Sequence, residues 1–195
     1  MAKNGVYCLE GEWNSDLRDR ASVLPILELL ERLGLLKFIH RDVATRSELE
    51  HYLKKWSQAR YSDYRVLYLA THGGNGSLQW SQRNATALDD LADVLRTSAA
   101  GRYVYLGSCR TLFDSGQARR FREQTQAAAV LGYRKDVDWL EGAAFEVILL
   151  SSLANHTGRP ATVFNQLMNR HAGLARLYKF VMVTKDGELR SQDHA

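Results

Sequence analysis

Arg65-Val66-Leu67-Tyr68-Leu69-Ala70-Thr71-His72-Gly73-Gly74 is the stretch on which the reading of the fold turns. Residues 65–70 give the strongest strand signal in the chain, and they run directly into a His-Gly-Gly turn. The next strand, Tyr103-Val104-Tyr105-Leu106, runs in the same way into Gly107-Ser108-Cys109-Arg110. Working outward, Gly5-Val6-Tyr7-Cys8-Leu9 reads as a first strand and Leu36-Lys37-Phe38-Ile39-His40 as a second. Between them a helix is predicted over 22–33, with Val23, Ile26, Leu27, Leu30 and Leu33 at helical spacing, Pro25 in its first turn and Gly34 as its stop. Thr45 and Glu48 form a capping-box pattern ahead of a helix whose buried stripe is Leu49, Tyr52, Leu53 and Trp56.

Beyond His72 a hairpin is predicted at Asn75-Gly76, followed by a helix capped by Thr86 and carrying Leu88, Leu91, Val94 and Leu95. Residues 127–133 read as another core strand. Asp138, with Glu141 three residues on, caps a helix reaching about Asn155. Pro160 starts a further helix ending near Gly173, residues 179–183 form a last strand, and Asp186-Gly187 is the turn after it. Strand-like and helix-like segments alternate. The expected fold is therefore α/β, a three-layer α/β/α sandwich on a mixed, mostly parallel sheet of about six strands.

The chain has 195 residues, 45% of them hydrophobic and 25% charged, which suits one compact domain over 1–195 with a full core. Two isolated cysteines, Cys8 and Cys109, make neither a disulfide framework nor a zinc site. No metal and no cofactor are expected. The opening Met-Ala-Lys-Asn-Gly lacks an apolar signal region, and charges interrupt every apolar run. A cytoplasmic protein from a reducing compartment, without membrane attachment, is expected. The net charge of +4 comes with only one local basic cluster, Arg119, Arg120 and Arg122, so a nucleic-acid partner is not expected.

In open α/β sheets, ligands bind beyond the carboxyl ends of the strands. Two strand ends here carry His72 and Cys109. A thiol is nucleophilic as thiolate, and an adjacent imidazole can take its proton and return it to a leaving amine. Gly73 and Gly74 allow close backbone approach to a substrate carbonyl, and the N–H groups of Gly73 and Cys109 could hold an oxyanion. Cys8 lies within an apolar strand and reads as core. His40, His51, His156, His171 and His194 have no comparable setting and read as structural or surface residues. Chain order removes several rivals. Glutamine amidotransferases and α/β-hydrolases put the nucleophile before the histidine, on a Gly-x-nucleophile-x-Gly elbow. Here His precedes Cys, and Thr111 stands where the second glycine would be. A tyrosine-phosphatase loop would need arginine at position 115, which is Ser115, and a C-x-x-C pair is absent.

The segments Leu-Ala-Thr-His-Gly-Gly and Leu-Gly-Ser-Cys-Arg resemble the His-Gly and Cys motifs of caspase-like (clan CD) cysteine peptidases. The CHAT branch, related to caspases and separase, is the nearest likeness. That branch follows the cysteine strand with another strand and an acidic motif before a helix. Val130-Leu131-Gly132-Tyr133-Arg134-Lys135-Asp136-Val137-Asp138-Trp139 resembles that arrangement. The likeness runs over residues 5–183. Ser108 stands where caspases have alanine, and the 37 residues from His72 to Cys109 fall short of the roughly 50 of caspases, so the broader clan is implied rather than a true caspase.

The resemblance implies a cysteine endopeptidase acting on a protein substrate; its control is expected from an activating or regulatory protein partner, a loop or a separate chain. For small bacterial members it implies an effector role in antiviral defence or cell death. Selectivity in this clan comes mainly from the pocket for the residue before the cut. Asp136 and Asp138, after the strand ending at Tyr133, are the candidate substrate-binding carboxylates there, favouring a basic residue. Residues 111–126 are expected to be a mobile, activity-controlling stretch with Arg119 and Arg120 as self-cleavage points; the competing reading is a surface helix over 115–125. Two rival functions remain beside the peptidase: a catalytically silent caspase-like binding module, and a doubly wound domain binding a small ligand at the same sheet edge.

Overall fold

The computed structural model describes residues 4–193, so His194 and the opening Met-Ala-Lys lie outside the described residues. Ten strands form: β1 (Gly5–Glu10), β2 (Lys37–Asp42), β3 (Val66–Ala70), β4 (His72–Gly74), β5 (Ser77–Ser81), β6 (Asn84–Ala87), β7 (Tyr103–Gly107), β8 (Ala129–Tyr133), β9 (Phe180–Thr184) and β10 (Gly187–Arg190). The helices are α1 (Leu24–Arg32), α2 (Arg46–Trp56), α3 (Leu88–Leu95), α4 (Ser115–Thr125), α5 (Trp139–Asn155) and α6 (Pro160–Leu177). The main sheet has seven strands in the order β10-β9-β8-β7-β3-β1-β2. Five of them, β2, β1, β3, β7 and β8, run parallel; at one edge β9 is antiparallel to β8 and β10 antiparallel to β9.

Strand side chains alternate faces with a period of two, and both faces are covered. Val6, Cys8, Tyr68, Tyr105, Leu131 and Tyr133 pack with Leu27 and Leu30 of α1, Phe145 and Leu149 of α5, and Phe164 of α6. Tyr7, Leu9, Leu67, Leu69, Val104 and Val130 pack with Leu53 and Trp56 of α2, Leu91 of α3 and Phe121 of α4. The result is the expected three-layer α/β/α sandwich.

The sheet is one strand wider than expected. β10 is four residues of Gly-Glu-Leu-Arg, too short and polar to stand out in the sequence, and pairing with β9 creates it. A second sheet, β4-β5-β6, grows from the predicted hairpin. Thr86 belongs to β6 rather than capping α3. Its hydroxyl accepts from Trp80 Nε1 at 3.1 Å, and Ala87 precedes the helix without a side-chain cap. The capping box of Thr45 and Glu48 forms as expected. α6 continues past Gly173 to Leu177, with a break in helical geometry at His171, because Ala175 is buried against the core.

Within 111–126 the competing reading prevails over a mobile stretch: α4 occupies Ser115–Thr125, capped by Asp114, whose carboxylate accepts from Gln117 N at 2.7 Å. Arg119 and Arg120 face outward, Arg122 donates to the Ala127 carbonyl, and Ala118, Phe121 and Thr125 are buried. Arg134, on the loop after β8, ties this helix down by bonding Ser115 and Glu188. Removing the Phe121 ring should leave a cavity costing about 3–5 kcal/mol. Urea unfolding of Phe121→Ala checks this, and a loss below about 1 kcal/mol would mean that α4 stands outside the cooperative fold.

Candidate active site

The register of β3 against β7 sets Val66 opposite Tyr103, Tyr68 opposite Tyr105 and Ala70 opposite Gly107. Carried two residues further, the same offset sets His72 against Cys109. Both continue the side-chain parity that faces α1 and α5, and both line one cavity at the carboxyl edge of the sheet. Thr71, buried at the end of β3, donates its hydroxyl to the Gln79 carbonyl and so anchors the small sheet beside this edge. Gly73 is required by crowding. A β-carbon there would collide with the Cys109 carbonyl oxygen and lie 2.5 Å from Thr111 Oγ1. Only glycine lets the histidine turn sit this tightly on the cysteine turn.

His72 is held by a main-chain group. Its Nε2 lies 2.8 Å from the carbonyl oxygen of Trp13. A carbonyl can only accept, so in this pairing Nε2 carries the proton and Nδ1 keeps the basic lone pair. The Trp13 ring packs edge-on against the imidazole, with centroids 5.3 Å apart, and against Trp139 at 4.7 Å. Trp13 is fixed in turn by Glu10, whose Oε1 accepts from Trp13 Nε1 at 2.5 Å. Glu10 also accepts from Val23 N at 2.8 Å, Ser22 Oγ at 2.8 Å and His40 Nε2 at 2.6 Å. Burial pushes the Glu10 carboxyl pKa upward, but these hydrogen bonds together outweigh burial and hold it below its ordinary value. Glu10, His40 and Asp42 are the one cluster of three metal-capable side chains among the described residues. The oxygens of Glu10 are already taken by protein donors, which makes this a charge network.

Cys109 is half-buried, and its Sγ accepts from Val137 N at 3.3 Å. Among the described residues no hydrogen bond joins the imidazole to the thiol. Catalytic pairs are often loose without substrate. Arg110 adopts a left-handed conformation (φ 52°), a sharp turn that presents Cys109 at the mouth of the cavity. Cys8 is fully buried, and burial drives its thiol pKa well above the ordinary value.

The carboxylates expected to select substrate have other partners. Asp136 pairs with Arg110 at 2.6 Å, is exposed, and stands outside the cavity lining. Asp138 borders the cavity but caps α5, accepting from Leu140 N at 2.9 Å and Glu141 N at 3.1 Å. The acid that reaches the cavity from below is Glu146 of α5. Its Oε1 accepts from Tyr105 Oη at 2.9 Å, and Tyr105 Oη lies 2.7 Å from Tyr133 Oη. Trp13 and Glu146 were not singled out from the sequence. For Glu146 a signal existed, a lone charge inside the apolar run Ala143-Ala144-Phe145-Glu146-Val147-Ile148-Leu149-Leu150.

Burial raises the Glu146 pKa from 4.5 to about 7, against the opposing pull of the Tyr68 and Tyr105 hydroxyls. As pH rises from about 4.5 to about 7, the unfolded chain loses this proton first, so Glu146 makes stability fall across that window and hold level above it. The loss amounts to about 3 kcal/mol. Glu146→Gln, which keeps an acceptor for Tyr105, should remove this slope and be more stable than the unmodified protein at pH 8 but not at pH 4.5. Urea unfolding at both pH values checks this; identical pH dependence in the two proteins would contradict it.

The crystal structure of caspase-1 from Spodoptera frugiperda matches with a TM-score of 0.55 at 16% sequence identity, over 90% of this chain and 78% of that one. At that identity the likeness is one of architecture: the fold is caspase-like. No curated protein matches the chain significantly in sequence. A family model matches residues 3–183, and the chain belongs to the family of unknown function DUF6642.

Proposed function

We propose that this protein is a cysteine endopeptidase of the broad caspase-like type, with Cys109 as nucleophile and His72 as general base and then acid. The observation that carries the reading is the shared cavity of His72 and Cys109 at adjacent ends of parallel strands. Nδ1 of His72 takes the thiol proton, and Sγ attacks the scissile carbonyl carbon. The oxyanion is held by the N–H groups of Gly73 and Cys109. The imidazolium, steadied by the Trp13 carbonyl at Nε2–H, passes its proton to the departing amine as the C–N bond breaks. Water, deprotonated by Nδ1, then cleaves the thioester and releases the acid, and the proton returns to the thiol. The Val137 N–H points at Sγ and helps hold it in place.

The absence of a direct imidazole–thiol hydrogen bond keeps the silent binding module as the second reading. Reactivity separates the two. A peptidyl acyloxymethyl ketone at pH 7.5 should modify Cys109 and spare Cys8, as peptide mapping by mass spectrometry would show. His72→Ala should slow that labelling by about 10²-fold or more, whereas Cys8→Ala should leave it unchanged. Cys109→Ala should abolish peptide hydrolysis without lowering thermal stability. Equal labelling rates with and without His72 would favour the silent module.

A further inference from the structure

The cavity beside Cys109 extends inward between the sheet edge and α5, with a chemically uneven lining. Its walls are apolar: Trp13, Val23, Ile26, Val137 and Trp139. Its floor is polar: Tyr68 and Glu146. No lysine or arginine lines it, while two carboxylates do, Asp138 toward the mouth and Glu146 at depth. The Tyr68 hydroxyl is buried beside Glu146, near enough to pull on that carboxylate, yet makes no well-formed hydrogen bond. A buried hydroxyl without a partner is costly, and one at a cavity floor is accounted for if an incoming group bonds it. Gly107, two residues before the nucleophile, keeps the floor open. A β-carbon there would meet the Tyr68 ring and come within 3.1 Å of Glu146 Oε1.

We propose that this cavity receives the residue preceding the cut and is built for arginine or lysine, with Glu146 as counter-charge and the Tyr68 hydroxyl as a second polar contact. The assignment of the cavity to that residue rests on the peptidase reading; the preference for a cationic side chain does not. A long aliphatic stem lies along the apolar walls while its charged head reaches the floor. There the cation donates to the carboxylate, which has only tyrosine hydroxyls as partners, and to Tyr68 Oη. An aspartate side chain would be too short to reach the floor and would meet like charge. Glu146 is faced by Tyr68 from β3, Tyr105 from β7, Tyr133 from β8, and Cys8 and Glu10 from β1. None of these is a cation, so any counter-charge for the ionised carboxylate is left for a ligand to supply.

The test separates binding from chemistry by using the full chain with Cys109→Ala. Acetyl-Ala-Ala-arginine amide and the same peptide with citrulline, which keeps the shape and loses the charge, are titrated by calorimetry at pH 8. The arginine peptide should bind at least tenfold more tightly. Adding Glu146→Gln should erase the difference, and adding Tyr68→Phe should weaken the arginine peptide while removing the orphan hydroxyl. Affinity for the arginine peptide should fall on the order of tenfold at pH 5.5, as Glu146 takes up its proton. Equal binding of the two peptides, no binding of either, or a charge preference that survives both floor substitutions would overturn the proposal. Arginine-selective binding by a protein whose unmodified form cleaves nothing would uphold the pocket and sink the peptidase; cleavage indifferent to charge would do the reverse.

Discussion

Parallel pairing of β3 with β7 is the constraint on which the sheet edge depends. Hydrogen bonds along the two strands fix their offset, and that offset alone decides which side chains meet beyond the last paired residues. A slip of one residue would send either His72 or Cys109 to the α2–α4 face. The register is defended by burial, since every residue of β3 and the first four of β7 are buried. The tight seat of Gly73 on the cysteine turn locks the last step, where regular pairing has ended. The core thus keeps His72 and Cys109 side by side by preventing slippage rather than by contributing atoms.

Two buried acids flank this frame and are treated differently by it. Glu10 is surrounded by donors, and its charge is kept. Glu146 has tyrosine hydroxyls and an apolar helix around it, and its charge is resisted. The first arrangement fixes a position, that of the Trp13 loop. The second disfavours the ionised form, by burial without a nearby cation. Adjacent stretches of one sheet edge therefore hold a carboxylate ringed by donors that orders a loop and another, bonded by tyrosine alone, that faces a cavity.

The parts legible in the sequence are those in which local pattern and global fold agree. The strand running into His72, the strand running into Cys109, and the capping acids at Thr45/Glu48 and Asp138/Glu141 each carry their own explanation within a few residues. β6 was not legible, because Thr86 satisfies Trp80 across the small sheet and a threonine before an apolar helix also looks like a cap. β10 was not, because its existence depends on β9. Asp136 looked unoccupied because its partner Arg110 is 26 positions away. Trp13 meets His72 across 59 positions, a distance over which sequence pattern carries no information.

The group that orients His72 belongs to the main chain, and this changes how the site can be damaged. A side-chain partner, such as the aspartate of a serine protease triad, can be deleted by one substitution. The carbonyl oxygen of residue 13 is present whatever amino acid is encoded there. Vulnerability is displaced to whatever fixes the path of the loop, foremost Glu10, and to Gly73, where no other residue fits. Genetic fragility at this centre is thus expected at positions that set the course of the loop, the Trp13 ring held by Glu10 among them, because the orienting atom itself cannot be deleted.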